Sequence, residues 1–294
     1  MNSVRYQDIF FNIEKFKLQT RNIVHGFITG IHKSPFQGFS VEFSDHRPYN
    51  NGDSVDHIDW KLYAKTNRYF IKRYEDETNV PVYIILDHSK SMSFSSEKHT
   101  NKLDYAKMIT ATLSYLALKQ RDAVGLITIN QDITSFLPAK SRQNWIDQII
   151  KNLNLSDSTG ITKLSECLHK SADILKKRNL IIIISDFLEE TNEFLSALSH
   201  FKYNMNDLIL VNVNDQKELN FDYDSALEIY DLESDEMINA NAFEIKKEYN
   251  EFIRNHYKTI EDETLKLNYD YINFTLNYDY SQILAAFLNK RKRM

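Results

Sequence analysis

The sequence predicts an α/β protein: a doubly wound, mainly parallel sheet with an N-terminal β-rich elaboration. From Val80 onward, short β-branched runs alternate with amphipathic helical stretches, the signature of a parallel sheet covered on both faces. Before about residue 78 that alternation is missing and turn-forming text takes its place. Hydrophobic residues make up 42% and charged residues 26% of the 294 residues, values of a globular chain able to bury a core. The expected division is therefore 1–78, an N-terminal helix and β-rich region, and 79–294, an α/β domain with a C-terminal α/β extension.

In the first part, Asp8 to about Ile28 carries an apolar stripe and is expected to be helical. "GFSVEFS" and "RYFIKRYE" read as strands, while "TGIHKSPFQG", "RPYNNGD" and "KTNRY" carry turn signals. In the second part "VPVYIIL" reads as a buried strand. "KLDYAKMITATLSYLALKQ" reads as a helix with Leu103, Ala106, Ile109, Leu113 and Leu116 on one face. "AVGLITIN" is a strand, and "QNWIDQIIKNL" and "LSECLHKSADILKK" are helices. "LIIIIS" is a strand, a helix follows from Glu190, and "DLILVNV" is a further strand. Beyond these, "ALEIYDL" and "YDYINFTLN" read as strands and "AFEIKKEYNEFIRNHYK" and "YSQILAAFLNK" as helices.

Bulk properties narrow the function classes. A formal net charge of -5 does not favour non-specific nucleic-acid binding. A single cysteine, Cys167, allows no internal disulfide and fits a reducing cytoplasm. The start resembles no secretory signal, because charges interrupt it. Apolar runs such as Leu180 to Ile184 are far shorter than the ~20 residues of a membrane span. The expected location is cytoplasmic, with the basic tail "NKRKRM" either a solvated helix end or a contact to anionic lipid or a partner. No nucleophile elbow, P-loop, H-E-x-x-H or Gly-rich dinucleotide loop is present. Six glycines make a phosphate cradle hard to build, and Gly125 reads as a close-packing position.

Three loops at strand ends or helix starts supply oxygen and little else: Asp87, Ser89 and Ser91; Thr162; and Asp186. An oxygen-only set suits a hard divalent cation, Mg²⁺ or alternatively Mn²⁺ or Ca²⁺, and not zinc. Alternate residues 87, 89 and 91 are expected to point to one side of the loop, with His88 and Lys90 pointing away. Two carboxylates at one sheet edge repel, and a cation removes that cost. With hydroxyls bound directly and carboxylates behind water, the ion would stay electrophilic and seek an acidic group from a partner.

This pattern resembles the metal-ion-dependent adhesion site of von Willebrand factor A-like domains: Asp-x-Ser-x-Ser after the first strand, a Thr in a later loop and an Asp after the fourth strand. A more specific resemblance lies upstream. Gly38, Glu42-Phe43, Arg47-Pro48-Tyr49, Gly52-Asp53, Ile58-Asp59-Trp60 and Ala64, with the strand leading to Glu75, resemble the signature of the domain of unknown function 58 family. "DAVGLITIN", "VNVNDQKEL" and "ALEIYDLES" also fit, so the likeness spans about residues 18 to 288. It departs at Asp56, where a basic residue is usual, and at Lys65, where Arg is usual. The resemblance implies a bacterial von Willebrand A-like protein that is non-catalytic and works as an adaptor with a MoxR-type AAA+ ATPase.

Other groups have plainer readings. The Asp45-His46, Asp56-His57 and Asp87-His88 pairs cannot easily share one ion, because neighbours on a strand face opposite ways. Arg47, Asp53, Asp59 and Trp60 are expected to form a folded knot, with Arg47 paired to Asp53 or Asp59 and Trp60 anchoring the segment on the sheet. A partner surface is the alternative. Cys167 is expected in the core. The rival function is a Mg²⁺-dependent phosphohydrolase using Asp87, although Ser89 stands where such enzymes usually carry a second Asp.

Overall fold

The computed structural model describes residues 45–49, 58–73, 80–96, 101–157, 160, 163–221, 226–230, 237–276, 284, 285, 287 and 289. These fall into two compact units, one within Thr29–Asn79 and one from Val80 onward. In the first, β1 (Asp45–Pro48) pairs antiparallel with β2 (Phe70–Arg73), Arg47 lying opposite Ile71. Between them in sequence, Asp59 caps α1 (Trp60–Thr66), its carboxylate accepting the Lys61 and Leu62 N–H groups at 2.9 and 3.1 Å. Asn67 ends the helix in the left-handed conformation that favours Asn and Gly. The predicted helix from Asp8 and the strand in "GFSVEFS" lie outside the described residues.

The second unit is built on one six-stranded sheet. In chain order its elements are β3 (Val82–Asp87), α2 (Lys102–Lys119), β4 (Val124–Ile129), β5 (Ile133–Lys140), α3 (Trp145–Leu155) and α4 (Leu164–Ile174). β6 (Leu180–Ser185), α5 (Thr191–Tyr203), β7 (Asp207–Asn214) and α6 (Gln216–Asn220) follow. The hairpin strands β8 (Ala226–Tyr230) and β9 (Met237–Asn241) pair with each other, and α7 (Ala242–Lys266) leads to β10 (Asp270–Thr275). Spatially the order is β10-β7-β6-β3-β4-β5, all parallel except β5. Counted from the sheet's first strand this is the 3-2-1-4-5-6 winding of doubly wound α/β folds.

Burial explains why these segments are strands. β4 and β6 are buried at every position, β3 at all but Tyr83, and each is nearly all aliphatic, as parallel strands covered on both faces must be. One face takes Ile85, Ile127, Ile181, Ile183 and Leu210 into a core with Cys167 and Leu168 of α4, Phe194 and Phe201 of α5, and Ile253, Tyr257 and Ile260 of α7. Buried α2 and α3 residues, among them Ile109, Leu113, Ile149 and Leu153, belong to the helix layer of the other side. β5 was not expected from the sequence. Its positions alternate half-buried and exposed, because it is an antiparallel edge strand, where Pro138 is tolerated.

Gly125 has the packing role expected of it. It sits opposite Tyr83 across β3 and β4. The Tyr83 ring lies over it, stacked on Phe136 at 6.2 Å, and its hydroxyl accepts the Ala139 N–H at 3.2 Å. A Cβ at 125 would overlap that ring and stand 2.9 Å from the Leu137 carbonyl oxygen. Gly125→Ala is expected to destabilise the chain by about 1–3 kcal/mol, read as a lower denaturation midpoint at unchanged slope. A midpoint equal to wild type would show that the ring moves aside without penalty.

Candidate metal centre

The chain reaches β4 on one side of β3 and β6 on the other, so the crevice at the carboxyl ends of β3 and β6 is a topological switch point. Asp87 is the last residue of β3, and Asp186 directly follows β6. Both are buried.

Local chemistry folds the first loop back on Asp87. Its Oδ1 accepts the Ser89 N–H at 2.9 Å, the side-chain turn that Asp favours two residues on. Its Oδ2 accepts the Ser185 hydroxyl at 2.7 Å. The chain then makes a 3₁₀ turn over Lys90–Ser93, which brings the Ser89 and Ser91 hydroxyl oxygens to 3.0 Å. His88 points elsewhere: Nδ1 is 2.8 Å from the Asp157 carbonyl and Nε2 2.8 Å from Thr134 Oγ1. Burial lowers its pKa, so this is a structural imidazole. The Ser93 hydroxyl donates to the Lys90 carbonyl at 2.6 Å and takes no part.

The second loop approaches through its backbone. Lys90 N–H donates to the Gly160 carbonyl at 3.1 Å, and Gly160 holds φ +81, a conformation that glycine adopts without a steric penalty. Thr162 lies outside the described residues. The third loop is held from α7. The Tyr257 hydroxyl is 2.8 Å from Asn214 Oδ1 and 3.2 Å from the Asp186 carbonyl oxygen, and His256 Nε2 is 2.9 Å from the Phe187 carbonyl.

Sequence reasoning missed Lys102. This lysine has no exposed surface, and its Nζ donates at 2.8 Å both to Asp186 Oδ2 and to Glu218 Oε1. Glu218 in turn closes a capping box with Asp215 at the start of α6, and Asp215 Oδ2 accepts both the Ser96 N–H and hydroxyl, at 2.9 and 2.7 Å. One signal was available. Lys102, Ala106, Ile109 and Leu113 share the i, i+4, i+7, i+11 face, so the lysine extends the apolar stripe of α2 by one turn.

The electrostatics follow from burial. Desolvation, then the charge of Asp186, raises the Asp87 carboxyl to about 7, against the pull of its bonds from Ser185 and Ser89. Burial alone would lower the Lys102 ammonium, but the charges of Asp186 and Glu218 outweigh it and hold the group above the usual lysine value. Among the described residues no three His, Cys, Asp or Glu side chains cluster to hold an ion. A cation here would therefore depend on hydroxyls. The residues fit one: two hydroxyls 3.0 Å apart stand beside a buried carboxylate that has no cationic partner in the bonds it makes to Ser89 and Ser185.

The other singled-out group behaves differently. Asp59 Oδ1 accepts both N–H groups of the α1 cap, and Trp60 is 58% exposed, its ring edge-on to Tyr63 at 6.1 Å. An exposed ring does not anchor the segment, which leaves the surface reading for Trp60. Arg47 lies in β1, and Asp53 is outside the described residues.

Fold and site together define a doubly wound α/β domain with an oxygen-lined crevice at its switch point. The model of the family described as "protein of unknown function DUF58" matches residues 45–259, and the chain belongs to that family. The uncharacterized protein Rv1480 of Mycobacterium tuberculosis is 21% identical over 183 residues, 61% of this chain and 57% of that protein, so the chain spans little more than half the length of this relative. An aerotolerance-related membrane protein from Bacteroides fragilis aligns at 16% identity and TM-score 0.49, covering 73% of this chain and all of that one. BatB from Bacteroides thetaiotaomicron aligns at 16% identity and TM-score 0.47 with the same coverage. No helix among the described residues is long and apolar enough to cross a membrane.

In chelator, the folded chain keeps a proton on Asp87 up to about pH 7, whereas the unfolded chain releases it near 3.8. The folded state thus binds more protons in that window, and raising the pH through it costs stability. Asp87→Asn is expected to flatten this part of the stability–pH curve measured by denaturant unfolding. A wild-type curve with no fall between those values would contradict the assignment.

Proposed function

We propose that this protein is a non-catalytic, metal-dependent protein-interaction module, and that it works as an adaptor to a MoxR-type AAA+ ATPase. Asp87, Ser89, Ser91, Thr162 and Asp186 would form a metal-ion-dependent adhesion site for Mg²⁺, or for Mn²⁺ or Ca²⁺. The observation that carries this reading is the pair of hydroxyls, Ser89 and Ser91, converging beside buried Asp87 at the switch point. When bound, the ion would supply a Lewis-acidic position for a carboxylate from a partner. The chain's own work is to hold Asp87 by Ser185 and the Ser89 N–H, and to keep Asp186 facing the same crevice from β6.

The phosphohydrolase alternative is less well supported. Both oxygens of Asp87 accept hydrogen bonds, and the neighbouring His88 is tied by both ring nitrogens, so neither is poised as nucleophile or base. The ATPase partner rests on the family resemblance, and the exposed Trp60 offers a second surface on which such a partner could dock.

Calorimetric titration with Mg²⁺ and Mn²⁺ is expected to show one site in wild type, lost in Asp87→Ala and weakened in Ser89→Ala and Thr162→Ala. Capture of the MoxR-type ATPase encoded by the same genome is expected to fall in parallel, and to fall in chelator. Capture that is equal with and without chelator would refute a metal-bridged contact.

A further inference from the structure

A buried cation stands beside the proposed metal centre. Lys102 opens α2, a helix whose inward face is otherwise aliphatic or small, and lysine is almost never fully buried unless paired. Here it is paired twice, to Asp186 on one side and to Glu218 on the other, at the same 2.8 Å. The two partners differ. Asp186 is buried, while Glu218 keeps 20% of its side chain exposed. Asp186 is also one of the two carboxylates assigned to the ion, and its Oδ2 is the atom that Lys102 holds.

We infer that Lys102 is a tethered counter-cation of the adhesion site, competing with a divalent ion for Asp186, and that Glu218 sets the strength of that competition by drawing the same ammonium away. This rests on the metal reading and adds a determinant of its affinity. The physical argument is charge balance in a low-dielectric crevice. Without an ion, Asp186 would be an unpaired buried carboxylate, and the ammonium removes that cost. With an ion present, two positive groups face the same carboxylate, and each weakens the hold of the other. Glu218 tempers this by giving the ammonium a second anion. Lys102 thereby lets the fold stand without metal and keeps the ion exchangeable, which suits a module that must release its partner. The same clasp reaches α6 through the Glu218–Asp215 capping box and reaches the loop at Ser96 through Asp215, so these segments share the site's charge balance.

The test is Mn²⁺ and Mg²⁺ affinity, measured by calorimetry on the full chain. Lys102→Met is expected to tighten binding roughly five-fold or more, whereas Lys102→Arg, which keeps the charge, does not. Glu218→Gln, on a partly exposed side chain and therefore less exposed to misfolding, is expected to shift affinity the opposite way. A Lys102 that merely props up the fold would make Lys102→Met bind metal more weakly, never more tightly. Affinities unchanged or weakened in Lys102→Met, or unchanged or tightened in Glu218→Gln, overturn the inference while leaving the metal site itself standing. Absence of metal binding in wild type and all three variants overturns the site and the competition together. Should Lys102→Met fail to fold in chelator, recovery of its melting transition on adding Mn²⁺ supports the competition, and no recovery, with Glu218→Gln binding like wild type, removes it.

Discussion

Two carboxylates, Asp87 and Asp186, emerge from adjacent strands of a sheet that is buried on both faces. Much of the surrounding structure offsets that placement. Asp87 is met by neutral donors, the Ser185 hydroxyl and the Ser89 N–H, which solvate a carboxylate without cancelling its charge. Asp186 is met by a full cation. The two halves of one crevice are thus treated differently: one remains electrostatically unfinished, and the other is already closed by the protein itself. Parallel strands impose this geometry, because every strand delivers its last residue to the same edge.

Holding those ends requires support from distant parts of the chain. α7, forty residues and more beyond β7 at its midpoint, contributes Tyr257 and His256 to the backbone just after β6. Phe187 there adopts φ 51, unusual for an aromatic residue, and its side chain is buried against Phe194 at 5.1 Å. The turn after Asp186 is therefore fixed from both the helix layer and the core, and the carboxylate's position does not depend on its own loop alone.

The central sheet was legible in the sequence because all-aliphatic runs of about six residues have few alternatives once helices flank them. The first loop was legible for a similar reason: alternate residues sharing one side is a local rule, and Ser89 and Ser91 follow it. What the sequence hid was non-local. β5 alternates half-buried with exposed positions and contains Pro138, so its text resembles a loop until β4 is there to pair with it. Lys102 extends the apolar stripe of α2, but only the tertiary arrangement places two acids around it. Trp60 misled in the other direction, because a tryptophan in a charged segment suggests an anchor, whereas the ring stands in solvent. The cap at Asp59 is a local feature as well, since one carboxylate oxygen takes two N–H groups within three residues.

His88 carries a wider implication. Its ring spans from the Asp157 carbonyl, in the segment that precedes α4, to Thr134 on the edge strand, where Thr134 also donates to the Thr128 carbonyl. The residue next to the crevice carboxylate is thereby a crossbeam between the sheet's outermost strand and a neighbouring loop. Sequence drift on that outer strand, half in solvent, would be transmitted inward as a change in how two loops are spaced. Evolution of binding preference in such a domain need not touch the crevice at all; it can act at the rim of the sheet and arrive through one imidazole.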